Sequence, residues 1–422
     1  MRISDVRVRQ VAVPRIYDTY CADPKQLKAT IDHGRSTYQI IELTTSDGLT
    51  GIGEVSDIAP RMDAPSPATL QDLLSGVLVD TGVPGGAGVS AGVLVDAGVL
   101  AGGDVRAWRN LYDGVDEALP GDWYPELRQL MLFGVECALL DLVGKTHGLP
   151  LYELLGGRCR RAASVSWVAY LRGDATLEDE LQALEREVAD QVGSGMKAFK
   201  LKVGEDHERD LERVRLARKI AGTVAYIKVD ASGFWEEDEA LSRLRDMAEA
   251  GADACETPIR ALSRPMSRED PARIEADAEG IAEALAKVRN RSPIPIIEHV
   301  ADLGDAFLTA LIRHRAVDIV NVVPCQAGGL RRASRLLHAA ETAGMPALLG
   351  STIELGPGTA ASVHLAVSST NVEVPSDLVG PGLLQDDVCA NPFTVEGGEL
   401  APIEGPGLGM VLDEEKMERW SG

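Results

Sequence analysis

Several short segments of this chain end in charged residues, and their spacing restricts the fold more than any other feature. One β-rich run carries Lys200 and Lys202, two later apolar runs end at Asp230 and Glu298, and Glu256 lies between these two acids. Short β-rich runs bounded by turn signals are typical of buried parallel strands. Because the segments between them are long enough for helices, the pattern predicts repeated βαβ units.

The charged residues are expected to meet in one pocket, because the C-terminal ends of the strands in a (β/α)₈ barrel converge on one mouth. Carboxylates that lie close together need a cation, or they repel each other and take up protons. An all-oxygen site of three carboxylates suits Mg²⁺. Lys200 and Lys202 point the same way on a strand, and a lysine near a cation and a second lysine has a lowered pKa and serves as a base.

Each of these motifs also has an ordinary explanation. A lone Lys-x-Lys is usually a solvated strand edge, and a lone acid at a strand end is usually a helix cap. The motifs together, in this order and at barrel-like spacing, favour a catalytic site much more strongly than any one of them alone.

At these residues the chain resembles the enolase superfamily, in particular its mandelate racemase and muconate lactonizing enzyme branches. Lys200-x-Lys202 looks like the base motif of that family, and Asp230, Glu256 and Glu298 look like its three metal ligands. Asp230 and Glu256 are 26 residues apart, as is usual there, whereas the 42 residues from Glu256 to Glu298 imply an insertion. The likeness covers nearly the whole chain apart from residues about 65–105, with further matching runs at 138–145, 154–157, 328–330 and 405–409.

The resemblance implies a modified (β/α)₈ TIM barrel with an α+β capping domain. Residues 1–125 are expected to form the capping domain, residues 126–380 the barrel, and residues 381–422 a segment that returns to the capping domain. A helix with a single apolar stripe is predicted at 126–147. Strands are predicted in the capping domain at 1–14 and 38–54, and at the start and end of the barrel at 163–169 and in a segment that ends near Asp377. A Gly-, Ala- and Val-rich tandem repeat at about 76–103 is predicted to be either a duplicated insertion or an apolar surface for a partner subunit. The arginine-rich insertion at 257–276 is expected to form ion pairs or to meet a substrate carboxylate.

The resemblance also implies the chemistry. Mg²⁺ held by the three acids would stabilise an enolate formed when the α-proton of a small carboxylate substrate is removed. Lys202 is the predicted base and Lys200 its electrostatic partner, whereas His299 is a candidate for a second acid–base group. The substrate is predicted to contact four further residues: Tyr20, in a loop that closes over the active site in the resembled family, and Ser232, Asn321 and Glu354. Glu354 has an alternative role as the cap of a helix predicted at 356–368.

The end of the sixth predicted strand departs from the family. Muconate cycloisomerase-like members have a second lysine near Val323, and mandelate racemase-like members have an aspartate there, paired with a histidine near Gly350. Neither arrangement is present, so the sequence favours chemistry on one face of the substrate: syn β-elimination by a dehydratase of a hydroxy or sugar acid, or a cycloisomerase. The alternatives are a racemase or epimerase that uses His299 as the opposite base, and a scaffold protein that has lost part of its acid–base set.

Charge and composition exclude other classes of function. The net charge of −23 argues against binding to nucleic acid and to anionic membrane surfaces. The six cysteines contain no Cys-x-x-Cys and are predicted to be reduced, buried thiols of a cytoplasmic protein. The sequence shows neither an apolar signal core nor a membrane-spanning run. We expect a homo-oligomer.

Overall fold

The computed structural model describes residues 1–19, 34–79, 103–172, 176–259, 271–301 and 304–421. The N-terminal part is an antiparallel sheet of three strands in the order β1-β2-β3, formed by Ile3–Pro14, Arg35–Thr45 and Thr50–Val55. This confirms the strands expected at 1–14 and 38–54. The tight turn between β2 and β3 uses Gly48 at φ 88°, a left-handed conformation that glycine adopts without a steric penalty.

Three helices accompany this sheet: α1 (Pro67–Leu78), α2 (Trp108–Ala118) and α3 (Pro125–His147). The strand β3 approaches α3 so closely that a Cβ on Gly53 would lie 1.9 Å from the carbonyl oxygen of Gly134. We expected α3 to bury a single apolar stripe, and this is wrong. Leu130, Phe133 and Leu140 are buried as well as the predicted stripe, because α3 packs against the sheet on one side and against barrel helices on the other.

A parallel sheet of seven strands follows, in the order β11-β10-β9-β8-β7-β6-β5. Its strands are β5 (Trp167–Ala169), β6 (Ala198–Lys202), β7 (Tyr226–Asp230), β8 (Ala254–Glu256), β9 (Ile296–His299), β10 (Ile319–Val322) and β11 (Ala347–Leu349). The intervening helices are α5 (Leu177–Gly193), α6 (His207–Ala221), α7 (Glu237–Ala250), α8 (Pro271–Arg289), α9 (Gly304–His314) and α10 (Leu330–Thr342), and α11 (Gly356–Ser368) follows β11. The short helix α4 (Leu151–Leu154) and the two-residue strand β4 (Ala163–Ser164) precede the sheet. The predicted alternation of strands and helices is confirmed.

The barrel closes without a regular eighth strand. We expected a strand ending near Asp377, but residues 371–377 make only isolated bridges, Ala347 with Val372 and Val165 with Ser376. The Asp377 amide donates to the Leu349 carbonyl at 2.7 Å, and the Ser166 amide donates to the Ser376 carbonyl at 2.8 Å. This segment therefore joins β11 to the start of β5. The single strand predicted at 163–169 is also split, because β4 pairs with β12 (Glu399–Leu400) outside the barrel.

Two buried glutamates fix the N-terminal part to the barrel. Both oxygens of Glu54, on β3, accept hydrogen bonds at the start of α11, from the Leu355 amide at 2.9 Å and the Gly358 amide at 2.8 Å. Glu136, on α3, accepts from the Arg331 amide at the start of α10. Helix N-termini carry unpaired N–H groups, and both glutamates supply acceptors for them.

The C-terminal segment, which includes α12 (Gly380–Leu383) and α13 (Glu414–Trp420), returns to the N-terminal part. Asp141 on α3 accepts hydrogen bonds from the Ile52 amide at 2.9 Å and the Leu408 amide at 2.8 Å, and it pairs with Lys145 at 2.7 Å. One buried carboxylate thus connects the sheet, the helix and the C-terminal segment.

Some sequence predictions fall partly outside the described residues. Most of the tandem repeat (80–102) and of the arginine-rich insertion (260–270) lies there. The described cysteines are free thiols. Cys159 is exposed, so the expectation of buried thiols is wrong at that position, and Cys21 is not described. In the described part of the chain, no helix is both long and apolar enough to cross a membrane.

The cap at Glu54 predicts a pH dependence of stability. Burial raises the pKa of Glu54 to about 8, aided by the charge of Glu354, although the donors Gly358, Ser56 and Leu355 oppose the shift. A glutamate in the unfolded chain has a pKa near about 4.3. The protonated Glu54 carboxyl therefore makes its full contribution to the free energy of unfolding below a pH of about 4.3. This contribution, at most about 5 kcal/mol, is lost as the pH rises through about 8.

Glu54→Gln is expected to remove this dependence, because the amide does not titrate. Urea unfolding of both proteins at pH 6 and pH 8.5 measures the effect, and the comparison cancels groups that titrate equally in both. A free-energy difference between the two proteins that is the same at both pH values would contradict the prediction.

Candidate active site

A cavity of about 310 Å³ opens at the C-terminal ends of the barrel strands. The predicted base motif, the predicted metal ligands and three further predicted residues line it: Lys200, Lys202, Asp230, Glu256, Glu298, Ser232, His299 and Asn321. It falls within the size range of small-molecule sites. The parallel strands bring these side chains together because their C-terminal ends share one edge of the sheet.

Lys200 is buried at the centre of a carboxylate cluster. Its Nζ lies 2.9 Å from Asp230 Oδ2, 2.9 Å from Glu256 Oε2 and 3.0 Å from Asp377 Oδ2. Burial by itself would lower the pKa of Lys200, but the three carboxylates outweigh it and hold the pKa well above its ordinary value. Lys200 is therefore a fixed positive charge rather than a base.

Lys202 lies nearer the mouth and is less enclosed. Its Nζ contacts Asp230 Oδ2 at 2.6 Å, and about 14% of its side chain is exposed, compared with 6% for Lys200. The two lysines share one strand face, as the spacing predicts. Lys202 is thus the lysine that a molecule in the cavity reaches first.

Asp377 completes the cluster on the side where the barrel closes. It lies 2.8 Å from Lys228 Nζ, accepts a hydrogen bond from Ser166 at 2.5 Å, and contacts Lys200. Lys228 also donates to the Pro375 carbonyl at 2.9 Å. Its ammonium compensates the negative charge of Asp377 inside the barrel, so that the closing segment is held by ion pairs as well as by the backbone.

The three predicted metal ligands differ in their surroundings. Although burial opposes it, the charges of Lys200 and Lys202 hold the pKa of Asp230 well below its usual range. Burial raises the pKa of Glu298 to about 8, and the hydrogen bond from the Thr257 hydroxyl offsets only part of this shift. Glu298 Oε2 is buried and has no hydrogen-bond partner among the described residues. A buried carboxylate oxygen without a donor is energetically unfavourable, and a bound cation or a proton would stabilise it.

These residues fit a hard divalent cation. Asp230, Glu256 and Glu298 end three adjacent strands and offer only oxygen donors, which is the preference of Mg²⁺. The described residues contain no ready-made cage of three His, Cys, Asp or Glu side chains, since the two lysines occupy oxygens of Asp230 and Glu256. The unpartnered oxygen of Glu298 is the observation that favours a cation here.

The backbone is strained within two residues of two of these ligands. Ser232 has φ 49° and Thr257 has φ 43°, in the left-handed region that side chains, and β-branched ones above all, rarely adopt. The Ser232 amide donates to Asp230 at 2.8 Å, and the Thr257 hydroxyl donates to Glu298 at 3.0 Å. The strained turns therefore aim donors at the carboxylates, as is common at functional sites.

The wall opposite the lysines is neutral at its centre. The strand β10 is across the barrel from β6 in the strand order, and its end presents Asn321 and Val323 to the cavity. A Cβ on Gly350 would lie 2.6 Å from Asn321 Oδ1 and 2.6 Å from Val323 Cγ2. A larger residue at Gly350 would have to displace those side chains.

Comparison with known proteins identifies the family. The sequence pattern described as Enolase C-terminal domain-like matches residues 183–416, more than half of the chain. The chain belongs to the enolase superfamily. It is 32% identical to chloromuconate cycloisomerase from Cupriavidus pinatubonensis over 292 residues, which cover 68% of this chain and 71% of that protein.

Two further comparisons agree with this family assignment. L-Ala-D/L-Glu epimerase from Clostridium acetobutylicum is 27% identical over 279 residues, covering 65% of this chain and 70% of that protein. The crystal structure of 2-chloromuconate cycloisomerase from Rhodococcus opacus superposes with a TM-score of 0.78 and 24% identity over the full length of both chains, which shows the fold. The protein is thus an enolase-superfamily enzyme of the mandelate racemase and muconate lactonizing type, and these relatives are isomerases.

The remaining predicted substrate contacts of this enolase-superfamily member are Tyr20, Asn321 and Glu354. Tyr20 lies outside the described residues. Asn321 donates to Glu256 Oε1 at 2.8 Å, so it supports a predicted metal ligand while lining the cavity. Glu354 lies behind the cavity wall, where it accepts hydrogen bonds from Ser351 and from the Thr352 amide. It is not the cap of α11, because Glu54 accepts from the amides there.

Proposed function

We propose that this enzyme uses Mg²⁺ and one lysine to transfer a proton at the carbon next to a substrate carboxylate. The observation that carries the proposal is the asymmetry of the cavity. The lysines lie on β6 and the three acids on the next three strands, whereas the strand across from Lys202 presents the neutral side chains of Asn321 and Val323 near its end. This arrangement supports addition or elimination on one face of the substrate rather than proton transfer between two opposed lysines.

Each residue of the site has a separate role in the proposed proton transfer. Lys202 takes or delivers the proton, because it is the more exposed lysine. Lys200, fixed as an ammonium by three carboxylates, keeps positive charge beside the reacting carboxylate. When bound, Mg²⁺ held by Asp230, Glu256 and Glu298 would supply the charge that stabilises negative charge on the substrate carboxylate as its α-proton leaves.

Cycloisomerisation of an unsaturated dicarboxylate is the reaction that we place first. One carboxylate oxygen adds across a double bond, and Lys202 delivers a proton to the carbon next to the other carboxylate, so that no atom is gained or lost beyond the proton exchanged. The resemblance to chloromuconate cycloisomerase supports this class. Dehydration of a hydroxy or sugar acid would use the same proton transfer, with water as the leaving group.

Epimerisation is the second candidate, and a specific observation favours it. His299 lines the cavity from the end of β9, on a different strand from Lys202, and the chain resembles an epimerase. In that reaction the two groups would exchange protons on opposite faces of one carbon.

Incubation in deuterium oxide with Mg²⁺ separates these candidates. We would test muconate, chloromuconate, a set of hydroxy and sugar acids, and the dipeptide L-Ala-L-Glu, and follow each by NMR. The proposal expects either a lactone with deuterium at the α-carbon on one face only, or an elimination product whose α-carbon has lost its proton to the solvent. Inversion of the dipeptide with deuterium at the inverted carbon would favour the epimerase. Absence of exchange in every substrate, from protein that binds Mg²⁺, would count against all three reactions.

A further inference from the structure

A buried arginine on α6 holds the ends of the two strands that begin the barrel. Arg213 is fully buried. Its guanidinium donates to the carbonyl of Lys202 at the end of β6, and to the carbonyls of Tyr170 at 3.0 Å and Ala169 at 3.4 Å at the end of β5. Both Lys202 and Tyr170 line the cavity.

Buried acids surround this guanidinium. Glu180 on α5 lies 2.9 Å from Arg213 Nε, and Asp210 on α6 lies 3.6 Å from Nη1. The second oxygen of Asp210 accepts a hydrogen bond from the Gly204 amide at 2.6 Å, two residues beyond Lys202. Glu180 also pairs with Arg209. The cluster therefore bonds the chain at the Lys202 carbonyl and again two residues later, at the Gly204 amide.

Stability alone does not explain such a cluster. Replacement of buried ion pairs by apolar side chains of similar volume is often neutral or stabilising. Apolar side chains cannot supply what this cluster does supply, namely the directed donors of a planar guanidinium that bond three carbonyls. Those carbonyls belong to the strand ends that carry residues of the active site.

We propose that Arg213 is a positioning residue for Lys202. It acts through the backbone, by holding the end of β6 so that the Lys202 ammonium reaches the substrate α-carbon. The inference rests on the proposed function, in which Lys202 transfers the proton. A displacement of about 1 Å at a reacting group can cost about 100-fold in rate, so the position of this strand end matters for turnover.

The same helix offers a matched control. Arg218 also donates to backbone carbonyls, those of Gly222 at 2.8 Å, Ala225 at 2.7 Å and Gly251 at 2.9 Å, and it pairs with Asp253 at 2.6 Å. These contacts lie where β7 and β8 begin. Residues at the N-terminal ends of barrel strands serve stability rather than catalysis.

The test compares Arg213→Lys with Arg218→Lys, each of which retains its charge but loses the planar set of donors. We expect kcat for α-proton exchange to fall about 10- to 100-fold in R213K with KM changed less than about threefold, whereas R218K lowers the melting temperature and leaves kcat within about twofold. Hydrogen–deuterium exchange of the backbone at residues 200–206 should rise in R213K and stay unchanged in R218K. If R213K does not fold, the double variant E180M/R213M replaces the ion pair by apolar volume, and it should show the same loss of kcat.

A double variant decides whether Arg213 acts through Lys202. In K202A/R213K the exchange rate should equal that of K202A, because residues that act through one another are not additive. Wild-type kcat in R213K, or equal losses of kcat in R213K and R218K, would overturn the positioning role while K202A stays inactive. Full exchange by K202A would instead show that the proposed function is wrong, and the positioning role would fall with it.

Discussion

Replacement of Lys202 by alanine is expected to lower the rate of α-proton exchange by about 100- to 10,000-fold, the usual contribution of a general acid–base group. The structure gives the reason, because Lys202 reaches the cavity on the same strand face as Lys200, and Lys200 is held charged by three carboxylates. Exchange of substrate hydrogen with deuterium oxide, followed by NMR, measures the effect. Binding of Mg²⁺ should persist, since the three carboxylates remain.

Lys197→Ala is the matched control for this prediction. Lys197 is exposed and lies just before β6, so its loss should leave exchange unchanged. Lys200→Ala is expected to impair both exchange and substrate binding, because it removes the charge that compensates Asp230, Glu256 and Asp377. Normal exchange in the Lys202→Ala protein would show that another group transfers the proton, and His299→Asn would then be the next variant to examine.

Removal of divalent metal is expected to abolish turnover, and addition of Mg²⁺ is expected to restore it. Glu298→Gln should weaken the binding of Mg²⁺ by about 10- to 100-fold or more. Loss of residues that only orient metal ligands already weakens metal binding by that range. The reason is that Glu298 would lose its charge, while its Oε2 lies buried at the cavity without a donor among the described residues. Isothermal titration of the metal-free protein measures the change.

Glu283→Gln provides a control of the same chemistry on the exposed surface of α8, and it should bind Mg²⁺ as the wild type does. Full turnover in excess chelator, together with no metal in elemental analysis, would contradict the metal requirement. Loss of Mg²⁺ binding in both glutamine variants would show that the effect is not specific to the site.

The elements that were predicted correctly depend on local patterns. Lys200, Lys202, Asp230 and Glu298 lie at the ends of short apolar runs, and such runs become parallel strands largely because of what they bury. The order of the strands then follows from right-handed βαβ connections, which place consecutive strands side by side. The convergence of these residues could therefore be predicted without coordinates.

The residues that sequence reasoning missed depend on contacts between distant parts of the chain. Arg213 lies in a helix rich in charged residues and resembles an exposed arginine, and only the packing of α5 against α6 buries it with Glu180. Glu54 follows a glycine in an edge strand, and nothing near it indicates that it accepts hydrogen bonds from amides about 300 residues later. Asp377 was predicted only as the end of a strand, and its ion pairs with Lys200 and Lys228 depend on contacts between distant segments.

The hydrogen bonds of Asp141 have a consequence for the order in which the molecule is assembled during translation. The carboxylate needs the Leu408 amide, which is 267 positions further along the chain, and Arg9 needs Glu414, which is 405 positions away. The ribosome therefore completes the whole barrel before the small N-terminal sheet can receive its last partners. Contacts of such long range are costly in chain entropy and form late. The sheet that is synthesised first is thus finished last, and until then its surface for the C-terminal segment is open to chaperones and to neighbouring chains.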